Sequence, residues 1–107
     1  MARYYRLFSD TVKEHFATDK EFRVQLIIRT LSYFIEGDTK LGQQMLRKYI
    51  TSDVGYKELE ALTQIPEKSL IRMFGKSGNP TTANLFKVLR AITEHESIKL
   101  SVSVAAE

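Results

Sequence analysis

Residues 55–74 read GYKELEALTQIPEKSLIRMF, and the spacing of their apolar positions decides the fold. Leu59 and Leu62 mark a helix of about two turns that ends near Thr63. Gln64, Ile65 and Pro66 follow as a tight turn. The proline suits the start of a helix, because it lacks an amide hydrogen that would be unpaired there. From Glu67 to Phe74 a second short helix buries Leu70, Met73 and Phe74, which leaves Lys68, Ser69 and Arg72 outward. Two short helices joined in this way read as a helix-turn-helix. In that reading Ala61 is small where the two helices approach, Ile65 plugs the turn, and Leu70 with Phe74 anchors the second helix to the core.

Working outward, the chain is helical for most of its length. Tyr5, Phe8, Val12 and Phe16 fall on one face of a first helix, and Asp19 caps the next. In that second helix Val24, Ile27, Ile28, Leu31, Phe34 and Ile35 form a wide stripe expected to be fully covered by neighbours. Gly37 suits the left-handed residue that ends it. Asp38 suits the cap of a third helix carrying Leu41, Met45, Leu46, Tyr49 and Ile50, and Thr51–Gly55 is a short connection. After Phe74, Gly75 ends the helix and residues 76–80 read as a loop. Thr81 or Thr82 then caps a last helix with Leu85, Val88, Leu89 and Ile92 facing inward. The tail changes period: Ile98, Leu100, Val102 and Val104 alternate with Ser97, Lys99, Ser101 and Ser103, the pattern of a half-buried strand. No other segment resembles its partner, so the strand is expected to pair with a symmetry mate or a different protein. The competing reading is a frayed tail, or a strand packed on the helices. The expected fold is therefore all-α, a bundle of five to six helices with one short C-terminal β-strand. It forms a single domain over 1–107, divided into a helical pair (1–37), the helix-turn-helix region (38–93) and the strand (97–104).

Composition narrows the function. The 107 residues are 43% hydrophobic and 27% charged, values of an ordinary globular chain. There is no cysteine, hence no disulfide framework, thiolate nucleophile or sulfur ligand for zinc. No stretch is apolar enough to span a bilayer and MARYYRLFSD lacks a signal-peptide core, so the expected location is cytoplasmic with no membrane partner. The net charge of +3 is unevenly spread: residues 64–90 carry five Lys or Arg against one Glu, and residues 91–107 carry one Lys against three Glu. Phosphate binding depends on such local excess.

Lys68, Arg72 and Lys76 stand four apart, a basic line on one helical face that continues into the loop. Arg grips guanine with two hydrogen bonds, Lys does the same or neutralises phosphate, and Ser serves either. The reading set is thus Lys68, Ser69 and Arg72. Phosphate contacts are expected from Lys76, Ser77, Thr81 and Thr82, the last two at a helix start where free amides favour an anion. Catalysis finds little support. His15 and His95 are isolated, Glu94 and Glu96 sit at a helix end, and Glu58 and Glu60 diverge. The Gly75–Gly78 segment lacks the ending of a nucleotide loop, so neither an enzyme, a metal nor a cofactor is expected.

The run from Gly55 to Phe74, followed by Gly78-Asn79-Pro80-Thr81 and the Leu85–Leu89 helix, resembles the addiction-module antidote (HigA-like) proteins of the Xre-type helix-turn-helix group over roughly residues 19–104. The resemblance implies a homodimer that binds a double-stranded operator, represses its own transcription, and inhibits a ribonuclease toxin encoded beside it. Two residues depart from the family pattern: Gln64 stands where glycine is common, and Pro66 where a capping serine is common. The rival function is a protein-interaction module that neutralises a toxin, its affinity carried by the tail strand or the first helix.

Overall fold

The computed structural model describes residues 18–106. The expected first helix, with Tyr5, Phe8, Val12 and Phe16, lies outside the described residues, as does His15, so only the second helix of the 1–37 pair is described. Five α-helices follow in order: α1 (Lys20–Ile35), α2 (Thr39–Tyr49), α3 (Tyr56–Thr63), α4 (Glu67–Met73) and α5 (Thr82–His95). The all-α expectation holds across these residues.

Local chemistry sets the boundaries. The Asp19 carboxylate accepts from the Phe22 amide at the start of α1, 3.2 Å away. At its end Gly37 adopts φ +91°, and the amides of Gly37 and Asp38 donate back to the Phe34 and Tyr33 carbonyls, closing the helix with a left-handed residue. Asp38 at once caps α2, accepting from the Leu41 amide. The expected connection at 51–55 is instead a widened continuation of α2: residues 50–54 form a π-helical turn, which the Gly55 amide closes on the Ile50 carbonyl at 2.7 Å.

The core is built from Leu26 and Ile27 of α1, Met45, Leu46 and Tyr49 of α2, and Ile50 and Val54 of the π turn. Leu59 of α3, Leu70 of α4, the adjoining Phe74, and Val88, Leu89, Ala91 and Ile92 of α5 complete it. The stripe on α1 is narrower than its sequence suggests, since Ile35 is 82% exposed and Ile28 is also exposed. A helix turns about 100° per residue, which carries Ile28 and Ile35 to the far edge of the stripe. The buried side is centred on Ile27, Leu26 and Thr30 instead, and the Thr30 hydroxyl is satisfied by donating to the Leu26 carbonyl.

A polar hub ties the ends of these elements together. The Arg23 guanidinium on α1 donates to both carboxylate oxygens of Glu96, at 2.8 and 3.3 Å, and the Tyr49 hydroxyl from α2 donates to the same carboxylate. Asp53 of the π turn lies 3.7 Å from Arg23 and 3.1 Å from the His95 ring. Burial opposes the charge on Glu96, but hydrogen bonds from Arg23 and then Tyr49 outweigh it and hold the carboxyl below its ordinary value. Burial first, then the bond to Glu96, pushes the Tyr49 hydroxyl far above its usual range.

Beyond α5 no described residue forms a strand. Ser97 takes φ +57°, and the Ser97 and Ile98 amides donate to Glu94 and Thr93, which turns the chain away from the helix. Ile98 packs on the core, but residues 98–106 have no ladder partner among the described residues, and no strand is seen at 97–104. A β-ladder needs a second strand, and the described residues supply only helices.

Candidate nucleic-acid interface

The two short helices α3 and α4 are joined by Gln64, Ile65 and Pro66. Leu59 and Leu70 are both 0% exposed and Phe74 is buried beside them, so each helix is fixed to the core by its inner face. Ile65 packs against the same cluster, the plug expected of it. Ala61, by contrast, is exposed, and the buried position of α3 is taken by Leu59. Residues 59 and 61 differ by about 200° around the helix, so the same face cannot hold both.

The two sequence departures each have a local solution. Gln64 sits at φ +62°, ψ +18°, the left-handed conformation that glycine adopts without penalty, and its amide donates to the Glu60 carbonyl at 2.7 Å. Pro66 takes the capping position of α4 with no side-chain bond of its own. The cap comes from the preceding helix instead: the Glu60 carboxylate accepts from the Glu67 amide at 2.6 Å. Thr63 completes the turn by donating to the Leu59 carbonyl and accepting from the Ile65 amide.

On the outer side of α4, Lys68 and Arg72 are exposed and Ser69 is half-buried; Lys76, Ser77, Thr81 and Thr82 beyond it are exposed. None of Lys68, Arg72 or Lys76 forms an ion pair among the described residues. Arg72, Ser69 and Ser77 line an open cleft of about 400 Å³ together with Met73, Gly78, Asn79 and Asn84. Lys68, Lys76, Thr81 and Thr82 lie outside that lining. Thr81, rather than Thr82, caps α5, its hydroxyl accepting from the Asn84 amide.

Asn79 and Asn84 are the polar lining residues that sequence reasoning missed. Their signal was the Gly-Asn-Pro spacing, which fixes a loop without saying where it folds. Gly78 answers that: a Cβ there would fall 2.2 Å from the carbonyl oxygens of Arg72 and Met73, so only glycine lets the loop press onto the end of α4. This contact brings Ser77 and Asn79 alongside Arg72.

Away from the cleft, Asp53, His95 and Glu96 each place a possible ligand atom within 4.8 Å of the others, a grouping that their sequence spacing conceals. The Glu96 oxygens there already accept from Arg23 and Tyr49, so the hub's donors are matched to its acceptors. Among the described residues no helix is long and apolar enough to cross a membrane. No protein-family model matches the chain, and no curated protein or solved structure matches it either.

Proposed function

We propose that this protein is a sequence-specific DNA-binding regulator, a repressor whose α4 enters the major groove of an operator. One observation carries the reading: Leu70 and the adjoining Phe74 are buried in the core, while Lys68 and Arg72 stand exposed on the seven-residue α4 and form no ion pair among the described residues. Exposed cations on a short helix anchored to the core suit a partner that is itself anionic and grooved. In this reading Arg72 and Lys68 reach base edges, with Ser69 beside Arg72 in the cleft lining. With the α4 amide end already capped by Glu60, phosphate contacts fall to the loop and the start of α5, where Lys76, Ser77, Thr81 and Thr82 are exposed.

The family resemblance adds a homodimer on a palindromic operator, with half-sites about 34 Å apart or a multiple of it. It also adds the role of antidote to a ribonuclease toxin. Co-expression with the product of the neighbouring gene tests that role, because a pure DNA regulator leaves such a toxin active.

The test of the reading helix is an operator selected from random duplexes and titrated against Arg72→Ala. The variant should bind about 1–3 kcal/mol more weakly and lose preference at one base pair. Unchanged affinity and unchanged preference would remove α4 from the interface.

A further inference from the structure

The segment after α5 is built for a partner. Ile98 rests on the core, while Val102 and Val104 are 94% and 98% exposed and Leu100 is exposed as well. These four apolar residues occupy every second position, with Ser97, Lys99, Ser101 and Ser103 between them. An extended chain with this period sets all four on one face and leaves its backbone donors and acceptors open.

We propose that residues 98–104 form an antiparallel strand pair with the same residues of a second copy of this chain, with the two-fold axis at Ser101. The sequence is self-complementary about that residue. In this register Ile98 faces Val104 of the partner subunit and Leu100 faces Val102 of the partner subunit, and the symmetry repeats both pairs, so every apolar side chain meets another. On the opposite face Lys99 meets Ser103 of the partner subunit, and Ser101 meets its own copy. Moving the axis one residue toward the N-terminus sets Val104 opposite Glu96, and moving it one residue the other way sets Ile98 opposite Ala106. An axis at Lys99 would oppose two lysines. The apolar face of the pair is continuous with each core through Ile98, which gives it the packed backing that a two-stranded ribbon lacks by itself. The other described residues contain no strand to compete for the segment. This inference goes beyond DNA recognition and stands without it, since the pairing needs no nucleic acid.

The chain has no cysteine, so a single introduced thiol reports the register. In the full chain without DNA, Ser101→Cys should form a disulfide-linked dimer under mild oxidation, because the two thiols face each other across the axis. Ser103→Cys should link at least about tenfold less, as its copy would lie about 13 Å further along the ribbon. Leu100→Asp combined with Val102→Asp should convert the dimer to a monomer in light scattering with the helical content by circular dichroism unchanged at room temperature, since both side chains are exposed on the single chain. A wild-type chain that is monomeric, as expected if the segment serves only a different protein, overturns the proposal. So does equal linking at 101 and 103, or a double-Asp variant that stays dimeric. Each of these outcomes leaves DNA binding by α4 to be judged separately.

Discussion

The hub around Glu96 and the outer face of α4 use charge in opposite ways. At the hub, Arg23, Tyr49 and Asp53 converge from three elements on a carboxylate whose side chain is 2% exposed, and the guanidinium itself is only 15% exposed. On α4, Lys68 and Arg72 sit one turn apart in solvent and form no ion pair among the described residues. Paired charge fastens helices together at the hub, whereas the exposed charge on α4 is what the proposed reading assigns to another molecule. A buried pair contributes little net stability when intact, yet losing one member strands the other without water. An exposed cation costs nothing when removed, unless something binds it.

Breaking the hub should therefore give the largest effect. Arg23→Ala leaves Glu96 buried without its cation and should lower unfolding stability by about 3 kcal/mol at pH 7, read by urea denaturation. The hub's contribution should also depend on pH with a definite sign. The folded carboxyl of Glu96 lies below its unfolded value of about 4.3, so the stability it lends is complete above that range and drains away as pH falls through the folded value. The gap between wild type and Arg23→Ala should close over the same interval. A gap that stays constant down to strong acid would mean that the ion pair is not its source.

A smaller effect of opposite sign should come from the turn that holds α4. Gln64 carries a side chain in left-handed backbone, so Gln64→Gly should raise the melting midpoint, corresponding to about 0.5–1 kcal/mol after the greater freedom of glycine in the unfolded chain is subtracted. A loss of stability would show that the glutamine side chain makes a compensating contact. At the smallest end, Arg72→Ala should change stability by less than about 0.5 kcal/mol in either direction, although the same change weakens operator binding.

What could be read from the sequence follows from the range of the interactions. The cap of α5 could be narrowed only to Thr81 or Thr82, whereas the caps at Asp19 and Asp38 and the left-handed Gly37 all act within five residues and were legible. So were the anchors Leu70 and Phe74, because helical spacing alone separates them from Lys68 and Arg72. Glu96 was not: its partners lie 73 and 47 residues earlier in the chain, and beside His95 it looked like an ordinary helix end. Thr30 was hidden for a related reason, since a threonine that bonds its own helix can take a core position that a hydrophobic count assigns to Ile28. At the interface, the basic line was visible, but Asn79 and Asn84 join it only because Gly78 folds the loop against α4. The tail reads as a strand by period and yet has no mate among the described residues, the opening that the proposed pairing between copies uses.

The central claim is that the outer face of α4, with the loop behind it, meets duplex DNA. The most direct measurement is a titration of isotopically labelled protein with its selected operator duplex, followed amide by amide in solution by NMR. Shifts concentrated in residues 67–82 and weakening as salt is raised are the predicted result. Saturating duplex that leaves those amides unmoved, or that moves only the hub or the tail, would contradict it.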